Sequence, residues 1–277
     1  MKYRLVATDL DGTLLDSQKR LSERTKAALR ACTDRGIYVV LATGRAKVGV
    51  MPLVEEIGGI RYVLTTNGGT VLDLETDTVL HSHGLAPETV LELIDTVSPY
   101  PLMYDVYVDG MGKSQNSFLG NLEHYGVTGR IKDMILATRE PVEDIRQYME
   151  TCGRPVEKVN LFFADEALRQ QIRGLLSGRK ELAVTSSLYN NLEINAAGAD
   201  KGDGLARLAR HLGLNREEIV AFGDGENDLT MLEYAGLGVA MANGTEAAKS
   251  VANLVAEAND EDGVAKILEQ LEKTEET

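Results

Sequence analysis

The sequence has few cysteines, a shortage of basic residues and no long hydrophobic run, and each shortage excludes a class of protein. Two cysteines and four histidines are too few for a disulfide framework, and their spacing is not that of a metal site. Lys and Arg number 29 against 43 Asp and Glu, and the net charge of -14 disfavours nucleic acids and anionic membranes as partners. Because no apolar run reaches membrane-spanning length and none precedes Asp9 as a signal peptide would, we expect a cytoplasmic protein.

The chain is long enough for more than one domain. Its 277 residues, of which 43% are hydrophobic, can bury a substantial core and exceed the usual size of a single domain. The sequence contains no internal repeat and no low-complexity linker. We therefore expect two domains, in a monomer or a homodimer.

The most informative stretch is Asp9-Leu10-Asp11-Gly12-Thr13, which follows the apolar run 5–7. Such a run is typical of a buried strand, and in open α/β sheets ligands collect beyond the carboxyl ends of the strands. Two carboxylates there repel each other unless a cation lies between them, and hard oxygen ligands favour Mg²⁺. A carboxylate can also accept a phosphoryl group. The simpler alternative is a capped turn, because Asp and Gly are common in turns.

Two further stretches offer groups that bind phosphate. The predicted strand 39–42 ends in Thr43-Gly44-Arg45, where a hydroxyl and backbone N–H groups could hold a phosphate oxygen, although Thr at such a place is often only a helix cap. Lys201 opens an amphipathic run, which predicts an ammonium group at a helix N-terminus, where anions are favoured. The alternative for Lys201 is a solvated surface side chain.

A fourth stretch adds more carboxylates beyond a third predicted strand, 219–222. It contains Asp224 and Asp228, four positions apart, with Gly225 between them. An acidic loop with glycine is weak evidence by itself. Four loops suited to phosphate in one chain favour a site for phosphoryl transfer over four unrelated turns.

Together these stretches resemble, in the same order, the four motifs of the haloacid dehalogenase superfamily, in its Cof-type phosphatase branch with a large α/β cap. DLDGT matches the first motif, ATGR the second, Lys201-Gly202 the third and GDGENDLTML the fourth. Residues 259–264 are also similar to the usual C-terminal segment of that branch. The resemblance implies an α/β fold, with a Rossmann-like core of mainly parallel sheet and an inserted α/β cap domain.

The resemblance also implies a role for each matching residue. Asp9 would be the nucleophile, and Asp11 the general acid and base, which protonates the leaving alkoxide and then deprotonates the attacking water. Mg²⁺ would be held by Asp9, Asp224 and the backbone carbonyl of Asp11, with Asp228 behind them as a supporting carboxylate. The phosphate would be bound by Leu10, Thr43, Gly44, Lys201 and Asn227.

The third motif departs from the usual pattern of the family. Gly204 stands where an alanine is more common. We expect the added backbone freedom to loosen the start of that helix, without abolishing activity.

The motifs form two blocks, which predicts a core domain interrupted by an insertion between Gly44 and Lys201. Gly84 and Pro87 mark the exit from the core, and the chain is expected to return near residues 189–191. We predict a core of residues 1–83 and 191–277 and an α/β cap of residues 84–190. Within the cap we predict strands at 102–108, 156–164 and 182–186, and helices at 141–151 and 166–177.

The cap is expected to select the substrate, because the core motifs handle only the phosphoryl group and water must be excluded during transfer. The resemblance implies a small phosphorylated metabolite, most often a sugar phosphate, while related members act on cofactor phosphates such as pyridoxal phosphate. Candidate pocket residues are Arg45, Tyr104, Tyr107, Asn116, Tyr189 and Asn190, although a tyrosine on a cap strand more often serves in packing.

Two other functions stay open at this point. A phosphomutase of the same superfamily would pass the phosphoryl group to a sugar hydroxyl instead of water, using similar core motifs. A metabolite sensor without turnover would keep the fold alone. The sensor is disfavoured, because a pure binder needs no nucleophile and acid together.

Overall fold

Two β-sheets organise the chain, whose residues 2–186 and 188–275 are described by a computed structural model. The strands are β1 (Leu5–Thr8), β2 (Tyr38–Ala42), β3 (Tyr62–Thr65), β4 (Thr70–Asp73), β5 (Thr78–Ser82), β6 (Met103–Val108), β7 (Met111–Gln115), β8 (Arg139–Val142), β9 (Lys158–Phe162), β10 (Leu182–Thr185), β11 (Asn191–Ala196), β12 (Ile219–Gly223), β13 (Leu237–Met241) and β14 (Leu254–Ala256). The helices are α1 (Glu23–Asp34), α2 (Lys47–Ile57), α3 (Pro87–Val97), α4 (Asn116–Leu119), α5 (Gly129–Thr138), α6 (Ile145–Cys152), α7 (Glu166–Leu176), α8 (Lys201–Leu212), α9 (Leu229–Tyr234), α10 (Glu246–Val251) and α11 (Gly263–Glu275).

The chain divides into two units, and the first contains both blocks of motifs. It consists of Met1–Arg45, Val50–His81 and Asp200–Thr277. Its sheet has the order β14-β13-β12-β1-β2-β3-β4-β5, with parallel pairing from β14 to β3 and antiparallel pairing of β3 with β4. The predicted α/β class and mainly parallel sheet are confirmed.

The central strands of this sheet are apolar along their whole length because both of their faces are covered. On one face, Val6 and Leu41 pack in a core to which α1, α2 and α11 contribute. On the other, Leu5 and Val40 pack with residues of α8, α9 and α10. Since parallel strands end at the same edge, the loops after β1, β2 and β12 all open there.

The second unit comprises Ala46–Gly49 and Ser82–Ala199. Its sheet has the order β10-β11-β9-β6-β7-β8 and is antiparallel except where β7 pairs with β8. One face carries apolar residues that pack against α3, α6 and α7. The other carries the buried ion pairs Arg139–Asp105, at 2.8 Å, and Lys158–Glu193, at 2.9 Å. The division predicted at residues 84 and 190 stays a prediction.

The helix predicted for residues 141–151 is wrong at its start. Residues 139–142 instead form β8, an edge strand, and α6 begins at Ile145 with Asp144 as its N-cap. Pro141 misled the prediction, because proline opens helices but is equally tolerated on an edge strand, where its missing N–H costs little. Within the predicted cap, β7, α4 and α5 were not predicted either. Among the described residues, no helix has both the length and the apolar character of a membrane span.

Candidate active site

Lys201 links two of the motif loops of the first unit through its side chain. It is the first residue of α8, whose N-cap is Asp200, and it is fully buried. Its Nζ atom lies 2.6 Å from Oδ1 of Asp9 and 2.6 Å from Oδ1 of Asp228. Burial lowers the pKa of Lys201, but the two carboxylates outweigh it and raise the pKa above its ordinary value. Lys201 therefore remains an ammonium ion, at the helix N-terminus predicted from the sequence.

A third carboxylate, that of Asp224, lies beside these two. Single oxygen atoms of Asp9, Asp224 and Asp228 all lie within 4.8 Å of one another. Burial raises the pKa of Asp9, the Lys201 ammonium opposes that rise, and the Asp228 carboxylate adds to it. Burial also raises the pKa of Asp224. A set of hard oxygen donors with more negative than positive charge fits a divalent cation such as Mg²⁺.

Both carboxylate oxygen atoms of Asp228 accept hydrogen bonds from other residues of the protein. Its Oδ2 atom accepts the backbone N–H groups of Asp224 and Gly225, each at 2.9 Å, while Oδ1 accepts from Lys201. These bonds fix the loop after β12 and thereby orient Asp224. The geometry suits a carboxylate that supports a ligand more than one that is itself a ligand.

Gly12 and Thr13 position Asp224 from the opposite side. The Thr13 hydroxyl donates to Oδ1 of Asp224 at 2.8 Å. Gly12 has a φ of +102°, and a Cβ atom there would lie 2.4 Å from Oδ2 of Asp224. Only glycine therefore permits this approach. Thr13 was missed as a site residue, although it belongs to the first motif.

Asp11 is engaged by two cations. Arg45 donates to both of its oxygen atoms, at 2.7 and 2.9 Å, and Nζ of Lys19 lies 2.9 Å from Oδ1. Burial raises the pKa of Asp11, but the hydrogen bonds and charges of Arg45 and Lys19 outweigh it and lower the pKa to about 2. The contacts of Arg45 and Lys19 with Asp11 were not predicted, and a place for Arg45 in the substrate pocket stays a prediction.

The remaining predicted phosphate groups lie in the same loops. Thr43 is buried, and its hydroxyl oxygen accepts the N–H of Arg45 at 3.1 Å, which leaves the hydroxyl hydrogen for another acceptor. Gly44 follows it. The Leu10 side chain packs in the hydrophobic core, so only its backbone can reach a phosphate. Asn227 donates from Nδ2 to Oδ1 of Asn67 at 3.1 Å.

The candidates from the second unit have different surroundings. Tyr104 packs edge-on against Phe118, and the Tyr107 ring lies between the cations of the two buried ion pairs, at 4.8 and 4.9 Å. Both are buried, and Tyr104 is a packing residue. Asn116 begins α4. Tyr189, 71% exposed, and Asn190, 4% exposed, line a cavity of about 240 Å³ that residues of this unit form.

Comparison with known proteins identifies the family of the chain. The haloacid dehalogenase-like hydrolase family matches residues 6–268. The phosphatase YwpJ of Bacillus subtilis is 33% identical over 285 residues, covering 97% of this chain and 99% of its own. The 5-amino-6-(5-phospho-D-ribitylamino)uracil phosphatase YcsE of the same organism is 29% identical, with 96% and 94% covered. A haloacid dehalogenase-like hydrolase from Bacteroides thetaiotaomicron superposes with a TM-score of 0.84 at 30% identity, covering 97% of this chain and 99% of that one.

The family match spans most of the chain and includes all four motif loops. The two relatives are phosphatases, and their similarity to this chain extends over nearly their full length. The resemblance drawn from the motifs is confirmed. The chain belongs to the haloacid dehalogenase-like hydrolase family, as a hydrolase of phosphoric monoesters.

Proposed function

We propose that this chain is a Mg²⁺-dependent phosphatase that hydrolyses a small phosphorylated metabolite through an aspartyl-phosphate on Asp9. The observation that carries the proposal is the cluster of the buried Asp9 and Asp228, which both pair with Lys201, and the half-buried Asp224 beside them. Such a surplus of buried negative charge is costly, and a cation together with a phosphate would make use of it.

The chain supplies the nucleophile and the groups that hold the phosphoryl oxygens. Lys201 orients the Asp9 carboxylate for in-line attack on phosphorus, which forms the Asp9–phosphorus bond as the ester bond breaks. The Thr43 hydroxyl, the Asn227 amide and the backbone of Leu10 and Gly44 are the donors for the equatorial oxygens. Their contribution is electrostatic, because phosphoryl transfer depends mainly on positioning and charge stabilisation.

Asp9, Asp224 and the backbone carbonyl of Asp11 would hold the cation. Bound Mg²⁺ supplies charge neutralisation and polarises the phosphate oxygens. The convergence of hard oxygen donors supports this choice of metal.

Asp11 is proposed as the acid that protonates the leaving alkoxide and the base that then takes a proton from water. Both of its oxygen atoms accept hydrogen bonds from Arg45, and Lys19 pairs with one of them. These contacts favour the ionised form of Asp11, so its protonation calls for their release. An exchange of partners at Asp11 is therefore part of the proposed cycle.

The proposed substrate is the phosphate ester of a sugar or a sugar alcohol. Relatives at 29 to 32% identity are named for 5-amino-6-(5-phospho-D-ribitylamino)uracil, whose phosphate sits on a ribityl chain. Sugar phosphates share that polyhydroxylated chain. We propose that the second unit acts as the cap and selects among such esters, with Tyr189 and Asn190 at its cavity as candidates.

Phosphate release from a panel of sugar, sugar-alcohol, nucleotide and cofactor phosphates, measured with Mg²⁺, tests the proposal. A preferred ester that is hydrolysed by the wild type and not by Asp9→Asn would support it. Isomerisation of a sugar phosphate activated by a sugar bisphosphate, with little phosphate released, would indicate a mutase instead. Binding without either reaction would indicate a sensor.

A further inference from the structure

The turn between β3 and β4 has an unusual backbone. Thr66, Asn67 and Gly68 follow one another with φ values of +50°, +60° and +84°. Left-handed backbone is uncommon outside glycine, and for a β-branched residue such as threonine it is an outlier. Strain of this kind persists only where the surrounding structure enforces it, and it occurs preferentially at functional sites.

Hydrogen bonds tie this turn to the loop after β2. The backbone N–H of Thr66 donates to the carbonyl of Arg45, and that of Asn67 donates to the carbonyl of Thr43, each at 2.9 Å. All three residues of the turn are buried. The left-handed backbone is what directs two successive N–H groups at one neighbouring loop.

The same turn lies directly against the start of α8. A Cβ atom on Gly68 would lie 2.3 Å from the Asp200 carbonyl oxygen and 2.8 Å from Cα of Lys201. A Cβ atom on Gly204 would lie 2.8 Å from the carbonyl oxygen of Gly68. Two glycines therefore allow this approach, and α8 is a regular helix from Lys201 onward. The expectation that Gly204 loosens the helix start is replaced by a packing role.

The side chain of Asn67 reaches a third loop. Its Oδ1 atom accepts from Nδ2 of Asn227, which follows β12. The Asn227 amide has two N–H donors, and holding one of them gives the other a fixed direction. Asn67 thus contacts the loops of Thr43 and Asn227, while the adjacent Gly68 contacts Lys201.

We propose that Asn67 is a positioning residue for phosphate binding, which fixes the Thr43 loop through its left-handed backbone and orients the Asn227 amide through Oδ1. The inference rests on the proposed function, because it takes Thr43, Lys201 and Asn227 as the groups that meet the phosphate. Asn67 itself acts through these groups and does not touch the substrate.

Asn67→Gly tests the amide without disturbing the backbone, since glycine adopts a positive φ at no steric cost. We expect its kcat/KM to fall about fivefold to tenfold, equally for two esters with unrelated leaving groups, because one hydrogen bond to the shared phosphate site is lost. The affinity for inorganic phosphate with Mg²⁺, measured by calorimetry, should fall by the same factor. The Tm should equal that of the wild type. Asp77→Gly is the matched control, because Asp77 also has a positive φ, 49°, but lies in the exposed loop before β5.

A double-mutant cycle with Asn227→Ala separates positioning from a general structural effect. If Asn67 acts through Asn227, Asn67→Gly should change phosphate affinity by less than about twofold in the Asn227→Ala background. The inference would be overturned if the losses of phosphate affinity in the two single variants multiplied fully in the double variant. It would also be overturned if Asn67→Gly had the activity and phosphate affinity of the wild type. Either result would leave a working phosphatase. A wild type that hydrolyses no ester would refute the proposed function, and phosphate affinity would still decide the role of Asn67.

Discussion

Each of the two units contains a cluster of buried charged residues, and the two clusters differ in how their charges balance. In the first, the carboxylates of Asp9 and Asp228 contact one ammonium group and that of Asp224 lies beside them, so negative charge is in excess. In the second, the buried pairs Arg139–Asp105 and Lys158–Glu193 each join one cation with one carboxylate, so charge balances within each pair. Unbalanced buried charge is destabilising, and it is retained where chemistry uses it. The contrast separates a reactive site from a structural network.

The largest effect should follow from reducing the imbalance itself. Asp9→Asn removes the charge of the proposed nucleophile but little volume, so turnover should fall by roughly a thousandfold or more while the fold persists. Tm should equal or exceed that of the wild type, because one of several repelling carboxylates is gone. Steady-state kinetics and thermal unfolding of both proteins check this, and undiminished turnover would sink the assigned nucleophile.

Removing or adding the divalent cation also tests the excess of negative charge in the first unit. EDTA should abolish activity, and Mg²⁺ should restore it. Ca²⁺ should support turnover poorly, because its larger and more flexible coordination shell misplaces the reacting oxygens. The measurement is phosphate release after dialysis against chelator and titration with each metal. Full activity in metal-free buffer would contradict the prediction.

Breaking a balanced pair should cost stability. Arg139→Met leaves the Asp105 carboxylate buried without its cation, and we expect the free energy of unfolding to fall by about 3–5 kcal/mol. The double variant Arg139→Met, Asp105→Leu should recover most of that loss, because it leaves no unpaired charge. Urea denaturation of the two variants measures the difference. If the single variant proves as stable as the double, this pair is not the structural element described.

A substitution at Gly12, which lies against Asp224, should also lower activity, though by less than Asp9→Asn. Gly12→Ala puts a methyl group against Oδ2 of Asp224 and forces alanine into a positive φ. We expect kcat/KM to fall about a hundredfold, since misplacement of a catalytic group by about 1 Å has that effect. Gly213→Ala is the control, because its φ is +66° with open space around it, and it should change stability without changing kcat/KM.

Much of the first unit was predictable from the sequence, and the reason lies in its parallel strands. Runs such as Leu5-Val6-Ala7 are apolar throughout, and the loops that follow them share one edge of the sheet. The pairing of Asp11 with Arg45 and the contact of Asn67 with Asn227 were not predictable. They join residues 34 and 160 positions apart, and no local pattern records such an approach.

Parts of the second unit were harder to predict, because the residue types of some elements do not mark the structure that they form. Strand β7 contains glycine, lysine, serine and glutamine, none of which marks a buried strand. Its buried charges likewise violate the usual rule that charged residues are exposed. Arg139 and Asp105 belong to strands that are not adjacent, so their pairing required the sheet order β6-β7-β8.

The smallest expected effect concerns recognition by the second unit. Tyr189 is largely exposed at the cavity that it shares with Asn190, so Tyr189→Ala should leave Tm unchanged. If its ring contacts the substrate, the ratio of kcat/KM for two sugar phosphates should change about fivefold, the value of one aromatic contact. Leu175→Ala removes a half-exposed apolar side chain of the same unit that does not line this cavity, and it should leave the ratio unaltered. Ratios equal to that of the wild type in both variants would mean that other residues select the substrate. A change in Tyr189→Ala alone would mean that the second unit recognises the leaving group. The unbalanced charge of the first unit would then act on the phosphoryl group alone.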